Sequence, residues 1–97
     1  RCPRCLTMLD VVLSNQFKRD LKQSAKRNFN LDLLDEVVEM LANGVKLPEK
    51  YHDHSLAGNY SGFRECHIQP DWLLVYRIEN DELVLFLFRT GTHSDLF

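Results

Sequence analysis

Two runs rich in apolar, aromatic and β-branched residues, Trp72–Ile78 (WLLVYRI) and Leu83–Arg89 (LVLFLFR), are joined through Asn80-Asp81. Such a dipeptide between two strand-like runs predicts a tight antiparallel hairpin, and a hairpin of this length needs the rest of the chain to cover it. A third strand is expected over Gly62–Ile68. It reaches the hairpin through Gln69-Pro70, a turn because proline cannot continue a central ladder. Leu9–Leu13 (LDVVL) reads as a short β-branched strand near the start.

Between the first strand and the other three lie two segments with helical periodicity. In residues 14–29, Ser14 is placed to cap and Phe17, Leu21 and Ala25 form an apolar stripe at i, i+4, i+8. In residues 31–42, Asn30 is the candidate cap, Leu34, Val37, Val38 and Leu41 face inward, and Gly44 is placed for a left-handed stop. The short loop between them implies an antiparallel pair. The expected fold class is α+β, in the order β-α-α-β-β-β, with the helices on one face of a small twisted, mainly antiparallel sheet. His52 and His54 fall in YHDHSLAGNYSG, read as a polar loop that the pattern does not place.

If Asn80 and Asp81 are the loop residues, Glu79 sits opposite Glu82. Arg77 then faces Val84, Val75 faces Phe86, Leu73 faces Phe88 and Asp71 faces Thr90. Gly91 would permit a bend that aims His93 across the sheet. Under this register His67, Asp71 and His93 gather at one end of the sheet, where histidine and carboxylate together suit proton transfer. Trp72 reads first as a packing residue with an exposed edge.

Composition narrows the function. At 97 residues the chain is long enough for one domain, and 44% hydrophobic with 27% charged residues suits a single core. The division expected is an N-terminal extension over residues 1–7, not necessarily native, and one domain over residues 8–97. No apolar run approaches the roughly 20 residues of a membrane-spanning helix, and no signal-peptide pattern opens the chain, so a cytoplasmic protein is expected. A formal net charge of -2 argues against general nucleic-acid affinity. Charge is nonetheless polarised. Lys18, Arg19, Lys22, Lys26 and Arg27 against Asp20 make the first helix +4, while Asp32, Asp35, Glu36 and Glu39 make the second -4. The stripe Lys18, Lys22, Lys26 is either wet surface or a phosphate-facing edge. Cys2-Pro3-Arg4-Cys5 is half of a zinc site at best. The only other cysteine is Cys66, in a strand, so no metal and no cofactor is expected, and three cysteines without pairing logic fit a reducing compartment.

The runs HDHSLAGNYSGFRECHIQPDWLLVYRI and FRTGTHSDLF resemble the YafQ branch of the RelE/ParE toxin superfamily, with its spaced DH-x-L-x-G, R-x-x-H-x-x-P-D-W and R-x-G-(T/S)-H-x-x-L-F motifs. The resemblance spans roughly residues 8–97. It implies a RelE-like fold and a type II toxin-antitoxin toxin: a ribosome-dependent mRNA endoribonuclease acting by metal-free acid/base catalysis with 2'-OH attack. The implied partners are a DinJ-like antitoxin, the ribosome and mRNA, with no membrane and no small-molecule cofactor. The family's catalytic positions carry over to His54, His67, Asp71 and His93, with Trp72 and Phe97 beside the substrate. His52 has no counterpart in the motif and is left out. The chemistry then suggests His93 as acid, Asp71 as orienting group or base, His54 and His67 for the other proton transfer, Arg64 and Arg89 for charge stabilisation, and Lys18, Lys22 and Lys26 for docking on ribosomal RNA. Two alternatives of another class share the fold: a non-catalytic, ParE-like gyrase-binding toxin and a plain protein-interaction module.

Overall fold

The computed structural model describes residues 9–79, 84–92 and 94. Asn80-Asp81, Cys2-Pro3-Arg4-Cys5, His93 and Phe97 lie outside the described residues. The elements are β1 (Asp10–Leu13), α1 (Asn15–Lys26), α2 (Leu31–Ala42), β2 (His54–Ser55), β3 (Arg64–Gln69), β4 (Trp72–Glu79) and β5 (Val84–Gly91), with 3-10 turns at Glu49–Tyr51 and Gly58–Tyr60. They form a sheet in the order β1-β5-β4-β3-β2. β1 runs parallel to β5 and every other pairing is antiparallel. The expected α+β class holds. One strand was not anticipated, so the order becomes β-α-α-β-β-β-β. β2 is two residues long, below the length at which alternation or composition announces a strand, and exists because His54 and Ser55 pair with Glu65 and Arg64.

Both helices begin at the expected caps, and α2 also ends at the expected glycine. The Ser14 side chain accepts a hydrogen bond from Phe17 N at 2.9 Å, and Asn30 Oδ1 accepts from Asp32 N at 3.1 Å. α2 stops in a Schellman turn, Gly44 N to Leu41 O and Val45 N to Met40 O, with Gly44 at φ 74°. α1 ends the same way on Asn28 at φ 63°. Phe17 and Leu21 of the expected stripe face the core, but Ala25 is exposed and Ser24 is buried in its place, its hydroxyl donating to Asp20 O. A hydroxyl satisfied by its own helix four residues back is one way a polar residue sits on an apolar face.

The core lies between the helices and one sheet face, where Phe17, Leu34, Val37 and Leu41 meet Cys66, Trp72, Leu74, Tyr76, Leu85 and Leu87. The opposite face carries a smaller cluster of Leu73 and Val75 with Leu56, Phe63 and Phe88. β4 therefore alternates between two apolar environments, and Trp72 to Tyr76 are all at most 1% exposed.

The hairpin register differs from expectation. Glu79 pairs with Val84 rather than Glu82, and Arg77 with Phe86 rather than Val84. This two-residue slip keeps every side chain on its expected face, because the side-chain period is two. Further on, Tyr76 pairs with Leu87 but Val75 pairs with Arg89, so Phe88 is an extra residue, a β-bulge. Beyond it parity inverts. Thr90 lies opposite Leu74, not Asp71, and is buried at 1% exposure on the helix side. Its hydroxyl accepts from Trp72 Nε1 at 2.9 Å and donates to Leu73 O at 2.7 Å.

β1 pairs with β5 only as far as Leu87, and side chains satisfy the β5 edge past that point. Ser14 Oγ donates to Phe88 O at 2.6 Å, and Asp20 accepts from Thr90 N at 3.3 Å and from the Arg89 guanidinium. Ser14 thus caps α1 and closes the sheet edge at once. Ser14→Ala removes both bonds and is expected to cost about 1–2 kcal/mol. A lowered urea midpoint with unchanged m-value is the check.

Candidate active site

The β3–β4 turn falls at Pro70 and Asp71, one residue beyond the expected Gln69-Pro70, and an irregularity precedes it. His67 pairs with Leu73 while Gln69 pairs with Trp72, which leaves Ile68 unpaired and turned into the core. His67 and Glu65 are two residues apart on β3 and share the face away from the helices, alongside Leu73 and Val75. β2 then adds its part: His54 is the direct partner of Glu65 in the ladder.

Glu65 is the centre of this group. The residue is 6% exposed, and its carboxylate lies 3.3 Å from His54 Nε2 and 3.7 Å from His67 Nε2. A buried carboxylate is costly unless paired, and here two imidazoles flank it. His54 Nδ1 lies 2.8 Å from His52 O, and His67 Nδ1 3.4 Å from Pro70 O. A proton on each δ nitrogen donates to a backbone carbonyl, and only as an imidazolium does the ring also donate from its ε nitrogen to Glu65. The ε nitrogen is left for proton exchange beside Glu65. His52 completes the group, its ring 5.6 Å from that of His67 and edge-on to it, with the His54 ring 6.3 Å away on the other side.

The loop bearing His52 and His54 is held by the residue between them. Asp53 takes two hydrogen bonds from Arg64, each 3.2 Å, and one from the Tyr76 hydroxyl at 2.5 Å. Tyr76 is a core residue of β4, so the loop is tied to the least mobile strand of the sheet. His52 pays for the arrangement with a left-handed backbone, φ 49° and ψ 43°, at a cost of roughly 1–2 kcal/mol. The hydrogen bond to Asp53, opposed in part by burial, holds the Arg64 guanidinium above its usual pKa. Burial first, and then the Asp53 bond, push the Tyr76 phenol well up from its ordinary value. Burial does the same to the Cys66 thiol.

The sequence-expected site residues therefore divide. His54 and His67 come together, and Asp71 is exposed at the turn beyond His67. Trp72 is 1% exposed, packed against Phe29 at 5.0 Å between ring centres, and bonded to Thr90. It lies on the helix side of β4 in step with Leu74 and Tyr76, as the alternation of that strand requires. Arg64 and Arg89 are each engaged by a carboxylate, Asp53 and Asp20. Lys18, Lys22 and Lys26 are exposed along α1. Sequence reasoning missed Glu65 and set His52 aside. The signal for Glu65 was the i, i+2 spacing with His67, and nothing in the sequence pointed to His52. Among the described residues no group of three or more His, Cys, Asp or Glu side chains is arranged to hold a metal ion.

Two helices on one sheet face, with a histidine–carboxylate group on the other, define a small RelE-like toxin domain. A model of the family described as "Bacterial toxin of type II toxin-antitoxin system, YafQ" matches residues 9–97. The mRNA interferase toxin YafQ of Escherichia coli K12 is 39% identical over 89 residues, covering 91% of this chain and 95% of the relative. A metal-bound toxin from Helicobacter pylori superposes with a TM-score of 0.88 at 50% identity, covering 93% of this chain and all of that one. YafQ in the Escherichia coli DinJ–YafQ toxin-antitoxin complex superposes at 0.84, with 37% identity, covering 93% and 98%. The chain belongs to the YafQ family of bacterial type II toxin-antitoxin toxins.

The raised pKa values of Cys66 and Tyr76 set the alkaline behaviour. Both groups are neutral when folded, so their contribution is complete below their unfolded pKa values, about 8.5 and about 10, and is lost as pH rises past them. Stability is expected to fall above about pH 8.5 and faster above about pH 10, each group adding up to about 1.4 kcal/mol per pH unit. Urea denaturation between pH 7 and pH 11 measures this, and Tyr76→Phe should flatten only the upper part of the curve.

Proposed function

We infer that the protein is an mRNA interferase, the toxin of a type II pair, which cuts mRNA under translation and is restrained by a DinJ-like antitoxin. The observation that carries the reading is the pair His54 and His67 on one buried carboxylate, Glu65, on the sheet face that the helices leave open. Family membership, the mRNA interferase name of the Escherichia coli relative and the antitoxin complex of another structure support it.

Cleavage by the 2'-OH route needs three things from the chain. A base takes the 2'-OH proton as that oxygen attacks phosphorus, cationic groups stabilise the crowded phosphorane, and an acid protonates the 5'-oxygen as the P–O5' bond breaks. His54 and His67 each present an ε nitrogen on the open face. Either, on taking a proton, becomes an imidazolium whose charge Glu65 balances across about one hydrogen-bond length. Glu65 thus acts as the orienting carboxylate, one of the two roles, orienting group or base, that the sequence leaves open for Asp71. Asp71 sits at the exposed turn, where it reaches substrate more readily than it orients His54. His93 keeps the role of acid and Phe97 that of stacking on a base. Trp72 acts through packing, holding the turn in place.

A gyrase-binding toxin or an interaction module has no use for paired imidazoles around a buried carboxylate, which costs stability and returns only chemistry. The modest net charge fits an enzyme that relies on the ribosome to present its substrate. The exposed Lys18, Lys22, Lys26 stripe supplies the local positive edge for ribosomal RNA. No helix among the described residues is long and apolar enough to cross a membrane, and the ribosome locates the action in the cytoplasm.

His67→Gln and Glu65→Gln are each expected to lower cleavage of translated mRNA by roughly 10²–10⁴-fold while antitoxin binding persists. Mapping of mRNA ends in a defined translation reaction is the measurement. Full activity in either variant removes that residue from the mechanism, and blocked supercoiling by gyrase without new ends favours the ParE-like reading. Changing Lys18, Lys22 and Lys26 together to Glu should weaken ribosome association and flatten its salt dependence. An unchanged slope in a sedimentation assay leaves the stripe as wet surface.

A further inference from the structure

β2 ends after two residues, so the outer edge of β3 is bare beyond Glu65. The 3-10 turn Glu49–Tyr51 and the first turns of α2 do not fill the gap. A cleft of about 570 Å³ remains there, with His52 and His67 at its mouth. Leu33, Tyr51, Ile68 and Pro70 make its walls, and Glu36, Lys50 and Gln69 its polar margin. Of its lining, the expected catalytic set and the mechanism use only His67.

We propose that the cleft is a nucleobase pocket, which takes the base of a nucleotide flanking the scissile phosphate. The inference rests on the mRNA-cleaving reading of the adjoining histidines. Its chemistry matches a base better than a side chain of a protein partner. The apolar lining of Leu33, Tyr51, Ile68 and Pro70 suits the π-faces of a base, while the carboxylate of Glu36, the amide of Gln69 and the ammonium of Lys50 offer partners to its donor and acceptor edge. The size lies within the range of small-ligand sites. Lys50 Nζ lies 5.1 Å from the centre of the Tyr51 ring, on the same side as the cleft, where a backbone phosphate would meet it. Continuity with the catalytic group is direct: His67 lines the cleft and also contacts Glu65, so a base seated inside leaves its ribose at the imidazoles. The left-handed turn at His52 gains a purpose, since it brings that ring to the mouth.

The test reads binding without activity first. Titrating the full chain with adenosine and cytidine monophosphates should give saturable NMR shifts at the Ile68 methyl and the His52 and His67 imidazoles. Ribose 5-phosphate, which lacks a base, should give none of the Ile68 shift. Leu33→Trp, which fills the cleft, and Glu36→Trp, which places the bulk at an exposed rim and leaves the core intact, should each abolish the Ile68 response. In the translation reaction the same variants should lower kcat/KM roughly tenfold and redistribute the cut positions, since a base stack is worth about 1–3 kcal/mol. Shifts equal for ribose 5-phosphate and the nucleotides, or an unchanged pattern of cuts in both variants, overturn the pocket. Nucleotide binding in a wild-type protein that makes no cuts would instead overturn the nuclease reading and leave the pocket standing.

Discussion

Strand β4 is the constraint from which the rest of the molecule hangs. It is the middle strand of the sheet, and from Trp72 to Tyr76 it is buried on both faces. Trp72, Leu74 and Tyr76 belong to the core under the helices, whereas Leu73 and Val75 belong to the cluster opposite. A strand buried on both sides has no freedom to slide, because any shift exchanges two packed environments. β3 and β5 inherit their positions from it. The histidine group therefore rests against a strand that is buried on both faces, His67 pairing directly with Leu73.

Two polar devices transmit that rigidity. On one side the Trp72 indole and the Leu73 carbonyl both meet Thr90 Oγ1, which locks β4 to β5 past the bulge. On the other, the Tyr76 hydroxyl and Arg64 hold Asp53, and with it the segment between His52 and His54. Each device is a buried or half-buried polar group with its partners supplied, so each specifies one geometry and penalises others. Removing a single member leaves the remaining partners unsatisfied, which explains why residues that touch no substrate belong to the functional unit.

Much of the fold was legible in the chain itself. The caps at Ser14 and Asn30, the stop at Gly44 and the turn at Pro70 are local, since each depends on a side chain bonding within a few residues of itself. The site was legible in part. His54, His67 and Asp71 were named, but mostly through the spaced motifs of a resembling family, and register counting alone gathered only His67 and Asp71 among the described residues. Arg89 illustrates the limit. Its position near the sheet end suggested catalysis, and only the packing of α1 against β5 brings Asp20 to it.

What the sequence by itself determined has its cause within about one helical turn or one strand: the helix caps, four of the five described strands, the mixed α+β class and some of the candidates for proton transfer. Tertiary structure alone decided the rest. The Phe88 bulge inverted the face of Thr90, the Ile68 bulge shifted the register of β3 against β4 before the turn, and a two-residue strand joined His54 to Glu65. Bulges leave no compositional mark because they answer to the packing of the neighbouring strand rather than to the residue that bulges. Glu65 became the centre of the site for the same reason, its partners arriving from an element that has no existence until β3 is there to pair with it.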